Sequence, residues 1–167
     1  MPSGDELARF PESFPQSSAP GAPSYLRVGS RFVVLGPLPD AVRSQLVHSF
    51  SDDQVHVCRG ALPNPTGLPP STLVTAAYQL AGIGADAVPT GRLFVRWTDA
   101  VPAQSRGDDL LTAGFRIDVV PPYAPHTAWV RAASGDPALA LAGIEALARL
   151  RDVVHVEPEV WTERRSR

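Results

Sequence analysis

The sequence predicts an α+β fold, and three observations carry that expectation. Short runs of β-branched and aromatic residues alternate with stretches of helical spacing, and Gly, Pro and Asn punctuate them. The third is composition: of 167 residues 44% are hydrophobic and 19% charged, enough apolar surface for a core. That length fits one folded unit or two small ones, which argues against a large multidomain enzyme.

Prolines at positions 2, 11, 15, 20 and 23 are mixed with Ser, Gly and Ala. Such a stretch buries too little apolar surface to offset its chain entropy, so residues 1–24 are expected to form a disordered leader. Regular pattern opens at Arg31, where Phe32, Val33, Val34 and Leu35 read as a buried strand closed by Gly36 and Pro37. Asp40 then caps an expected helix carrying Val42, Leu46, Val47 and Phe50, and Gln54 to Cys58 alternates as a half-buried strand. The prolines and glycines between Gly60 and Pro70 mark a loop. Thr72 to Leu80 fits both periods, and its β-prone Thr72, Val74, Thr75 and Tyr78 favour a strand leading to a turn at Gly82 to Ala85. Residues 25–87 are accordingly read as a small α/β segment.

Beyond the Pro89-Thr90-Gly91 turn, Leu93, Phe94, Val95 and Trp97 mark a strand. Val101 to Ala113 follows as a helix with Leu110 and Leu111, stopped by Gly114. Phe115, Ile117 and Val119 alternate with polar neighbours; Pro121, Pro122 and Pro125 break the chain, and His126 to Ala133 is a further extended run. Asp136 is a good N-cap with Pro137 at the first helical position, and Leu139, Ile144, Leu147 and Leu150 project from the alanine-rich helix they open. Val153 to Val156 reads as the last strand, ending at Pro158. Strand, helix, two strands, helix and strand make a ferredoxin-like βαββαβ sandwich over residues 88–163, with both helices on one sheet face, the other face open, and 164–167 as a tail.

Composition also excludes functions. Net charge is -2 and all 15 basic residues are Arg, with no basic stripe, so nucleic acid is not an expected partner. Cys58 stands alone, which rules out an intramolecular disulfide or a C-x-x-C pair and permits a cytoplasmic location. No export signal and no run of roughly 20 apolar residues is present, so no membrane role is expected. The histidines at 48, 56, 126 and 155 lack metal-ligand spacing, and the nucleophile elbow, P-loop and dinucleotide motifs are absent. No catalytic residue, metal or cofactor is therefore expected, and the chain reads as non-enzymatic. Glu157 and Glu159, two apart around Pro158, face one side of the strand end, and Trp161 lies past that end with no element of its own to cover it.

Three stretches carry a resemblance. They are Thr90-Gly91-Arg92-Leu93-Phe94-Val95-Arg96-Trp97, then Pro122 to Val130, then Ala146 to Leu150 running into Val153-Val154-His155-Val156-Glu157-Pro158. Together they resemble the propeptide-like N-terminal region of bacterial subtilisin-like serine proteases, over about residues 88–163. The resemblance implies a domain that lays its open sheet face on two surface helices of the protease, as folding chaperone and inhibitor. It matches Glu157 to the acidic residue facing those helix N-termini. The extended segment of Glu159, Val160, Trp161, Thr162 and Glu163 would then add a strand to the substrate cleft.

The subtilisin triad motifs are absent and the chain stops at Arg167, so the expectation is a partner acting in trans on a separately encoded subtilisin-like protease, as inhibitor, chaperone or targeting subunit, or else a truncated or split product of a precursor whose protease is encoded separately. The alternative is a protein–protein interaction module that binds another protein, or its own copy, with no inhibitory role.

Overall fold

A computed structural model describes residues 6–50, 54–63 and 68–162. Its strands are β1 (Ser13–Pro15), β2 (Ser24–Leu35), β3 (Leu46–Phe50), β4 (Val55–Arg59), β5 (Leu73–Leu80), β6 (Asp86–Trp97), β7 (Phe115–Val119), β8 (Thr127–Ala132) and β9 (Val153–Thr162). The helices are short: α1 (Gly107–Thr112), α2 (Pro137–Ala142) and α3 (Ile144–Ala148), with 3-10 turns at Asp40–Gln45 and Ala103–Arg106.

This architecture corrects the expected fold class. It is mainly β, a nine-stranded antiparallel open sheet ordered β3-β4-β2-β5-β6-β8-β7, with β1 added on β2 and β9 on β6. It is not a ferredoxin-like βαββαβ sandwich carrying a small α/β segment. The shared strand β6 explains the difference. Its start pairs with β5 at Tyr78↔Ala87, its end pairs with β8 from Arg92 to Arg96, and β9 runs along its other side from Ala87 to Trp97. The boundary expected between residues 87 and 88 thus falls inside one strand.

Three local expectations change with it. Residues expected as a disordered leader are folded from Glu6 on, with residues 1–5 outside the described range. Phe10 and Phe14 are each 1% exposed, and the Phe14 ring lies 5.0 Å from Tyr25 and 4.7 Å from Tyr78. Two buried aromatics supply the apolar area that average composition concealed. The helix expected after Asp40 is a 3-10 turn followed by β3, because Leu46 to Phe50 finds a partner strand in β4, and that pairing outweighs a helical spacing of four apolar residues. The last strand does not stop at Pro158. The ring nitrogen of Pro158 has no hydrogen to give, and the strand runs on to Thr162 on the flank of β6.

The N-terminal end of the sheet curls. In a flat sheet β3 and β6 would be four strand spacings apart, roughly 19 Å. Instead His48 on β3 sits 2.8 Å from Asp86 on β6, and a core of Val33, Val55, Val57, Ala77 and Val88 fills the curl, with Phe50 and Trp161 packed against it. At the other end, α1, α2 and α3 cover one face, packing Leu110, Leu141, Ile144 and Leu147 on Leu93, Val95, Trp97 and Val156. Gly91 makes the close approach of α2 possible. Its φ is +86°, and a Cβ there would stand 3.3 Å from Pro137. The alanine-rich helix opens as read, with Asp136 Oδ1 accepting from the Ala138 N–H at 3.0 Å, but Gly143 divides it into α2 and α3.

Candidate functional site

The face of β9, β6, β8 and β7 opposite the helices carries the best candidate. Strand alternation sends Leu93, Val95 and Trp97 to the core and Arg92, Phe94 and Arg96 outward, and the neighbouring strands follow in register. Three rows of side chains cross the sheet as a result.

The middle row is aromatic. Val119 of β7 pairs with Trp129 of β8, Trp129 with Phe94 of β6, and Phe94 with Glu157 of β9. The Phe94 and Trp129 rings meet edge to face at 5.2 Å, a favoured geometry because the positive ring edge meets the negative ring face. On one side lies an ionic row. The Arg92 guanidinium stacks 4.8 Å over Trp129, with its Nε 3.0 Å from Asp118 and an NH1 3.8 Å from Glu159. Arg131 joins Asp118 at 3.4 Å, and Thr90 Oγ1 donates to Glu159 at 2.7 Å. On the other side Arg96 and His126 both face Asp99, at 3.2 and 3.6 Å, and His155 Nε2 lies 3.2 Å from Glu157.

A groove of about 350 Å³ opens over the β9 side of the aromatic row, between Gln16, Tyr25, Phe94, Trp129 and the stretch Glu157 to Val160. Burial, above all, pushes the Tyr25 phenol up from its ordinary pKa; a hydrogen bond from Gln16 opposes this and the nearby Glu157 carboxylate adds to it. The phenol therefore stays neutral in the groove wall.

The residues singled out from sequence separate here. Glu157 points outward, its side chain 56% exposed, while Glu159 is tied into the ionic row with Thr90 and Arg92. Val160 pairs with Pro89, Trp161 with Val88 and Thr162 with Ala87, so these three belong to β9. Trp161 is partly buried, packed against the core inside the curl. Glu163 and the tail 164–167 lie outside the described residues. Neither Phe94 nor Trp129 stands out as a site residue from sequence. Their signal was present, since alternation through Leu93 and Val95 already sent Phe94 outward; recognising the pair required knowing that β6 neighbours β8.

One further pair has the look of chemistry. Ser49 Oγ lies 2.7 Å from His56 Nδ1, and His56 Nε2 lies 2.9 Å from the Gly36 carbonyl. The carbonyl can only accept, so in the neutral ring the hydrogen sits on Nε2 and the serine hydroxyl donates to Nδ1. His56 is only 5% exposed, and the set ties edge strand β3 to β4 and to the turn after β2. Among the described residues no group of three or more His, Cys, Asp or Glu converges as a metal site, and no helix is long and apolar enough to cross a membrane. Compared with protein-family models, curated proteins and solved structures, the chain matches none.

Proposed function

We propose that the protein is a non-enzymatic binding module that docks on a protein partner through the open face of β9, β6, β8 and β7. The observation that carries this reading is the aromatic row, Trp129 and Phe94, ending at the outward carboxylate of Glu157 on a face the helices leave bare. Aromatic rings flanked by polar and charged side chains are the composition of protein-binding surfaces, in which rigid rings supply contact area at low entropic cost.

A subtilisin-like protease is the first partner to test, because the exposure of Glu157 suits the role its resemblance implies, opposite helix N-termini. The cleft-filling role of the following segment is less well supported, since Val160, Trp161 and Thr162 are occupied in pairing with β6. Docking without insertion is the form the reading takes. The edge of β9 is also guarded, with Ser18 bonded to Val156 and Pro158 offering no N–H, which disfavours strand addition there.

The experiment is a binding titration of subtilisin-like proteases encoded in the same genome, following residual activity in parallel. Wild-type protein is expected to bind, and Trp129→Arg and Glu157→Arg to weaken binding at least tenfold. Binding that ignores both substitutions would sink the proposed face, and no binding to any such protease would remove the protease as partner.

A further inference from the structure

We propose that the groove between Tyr25, Phe94, Trp129 and Glu157 receives an arginine side chain from the docked partner. The inference deepens the docking reading above and rests on it. Its basis is a chemical pattern that this face uses twice and completes once.

In the ionic row the pattern is complete: the Arg92 guanidinium lies on the Trp129 ring and is met by the carboxylates of Asp118 and Glu159. One row along, the same ingredients recur. Phe94 and Glu157 are cross-strand neighbours, Tyr25 and Gln16 form the opposite wall, and the groove lies between them. Among the described residues Glu157 has His155 as its only ion-pair partner, and no arginine reaches it. The cations of the row on the other side, Arg96 and His126, are already met by Asp99.

Charge complementarity therefore selects a cation. A planar guanidinium fits better than an ammonium because it stacks on a ring and bonds a carboxylate with two parallel N–H groups. Glu157, being more than half exposed, can turn toward such a group at little conformational cost.

The test uses the full chain, labelled with ¹⁵N, and the blocked pentapeptide acetyl-Gly-Ala-Arg-Ala-Gly-amide, with the same peptide carrying citrulline as the uncharged isostere. The arginine peptide is expected to shift the Trp129 indole and the Phe94 and Glu157 amides, and the citrulline peptide to bind at least tenfold more weakly. Glu157→Gln and Phe94→Leu should each weaken arginine-peptide binding severalfold; Glu157→Gln should leave the urea midpoint unchanged, and Phe94→Leu, which gives up the ring contact with Trp129, should stay folded at the assay temperature by its ¹⁵N spectrum. Equal binding of the two peptides, shifts confined to other surfaces, or indifference to Glu157→Gln would overturn the proposal. Self-association lost in Glu157→Gln would also overturn it, by assigning the groove to a second copy. If the peptide fails while a protease still docks in a Glu157-dependent way, the arginine site falls and the docking reading stands.

Discussion

Ser18 satisfies both main-chain polar groups of Val156: its N–H donates to the Val156 carbonyl at 2.8 Å, and its Oγ accepts the Val156 N–H at 2.8 Å. Val156 is fully buried on β9, so the contact closes the strand edge that β6 leaves open. Ser18→Ala strands the Val156 N–H and is expected to cost about 1–3 kcal/mol. Urea unfolding measures the loss, and faster hydrogen exchange at the Val156 amide locates it; wild-type protection there would show that the clamp is dispensable.

Gly143 separates α2 from α3 because the Phe115 ring occupies the space a side chain needs. A Cβ at this position would lie 2.5 Å from Phe115 Cζ, and its φ of −93° is open to any residue, so the constraint is packing alone. Gly143→Ala should destabilise by about 1–3 kcal/mol through overpacking, although alanine is the better helix former. Adding Phe115→Leu should recover part of that loss in thermal unfolding, and a neutral single substitution would contradict the clash.

Asp86 holds the curl. Its carboxylate, 3% exposed, bonds Arg31, His48 at 2.8 Å and Gln79 at 3.1 Å, joining four strands at one point. Asp86→Ala leaves Arg31 half-buried without its counter-charge and should cost about 3 kcal/mol or more. Denaturant midpoints of wild type, Asp86→Ala and Asp86→Asn decide it: the amide oxygen of Asn can still accept from Gln79, but its NH2 replaces the oxygen that Arg31 and His48 share, so Asn should recover only a small part of the loss. An Asp86→Asn midpoint equal to that of wild type would show that the charge contributes nothing.

Cys58 should be unreactive in the folded protein. Burial raises its thiol from the ordinary 9.0 to about 11, so the nucleophilic thiolate is scarce at pH 8 and alkylation should wait for unfolding. Because the folded pKa lies above the unfolded one, the associated stability is complete below pH 9 and declines as pH rises toward 11. Burial raises Tyr78 in the same direction, extending the decline to higher pH. Cys58→Val should remove the part of the alkaline slope that begins near pH 9, and an unchanged slope in denaturation from pH 8 to 11 would refute the assignment.

Local chemistry made much of this molecule legible. Turn glycines at 36, 82 and 114 all adopt positive φ, Asp136 caps its helix, and the outward phase of Phe94 follows from Leu93 and Val95 facing in. Leu46 to Phe50 is not legible locally, because a four-residue apolar spacing suits an isolated helix as well as an edge strand, and only the presence of β4 selects the strand.

What the sequence determined by itself is therefore the set of pieces whose signal lies within a few residues: the turns, the cap, the place of most strands and the outward phase of Phe94; Gln54 to Cys58, which reads as half-buried, is instead buried from Val55 to Cys58 because β4 lies between β3 and β2. Tertiary structure alone decided that β6 serves two parts of the sheet, that Phe10 and Phe14 anchor the opening segment, that Trp161 packs against the core of the curl, and that Trp129, Phe94 and Glu157 stand in one row. The physical reason is range. Alternation and capping depend on neighbours along the chain, whereas register between strands more than thirty residues apart depends on which pairing buries the most apolar surface and leaves the fewest main-chain groups unbonded.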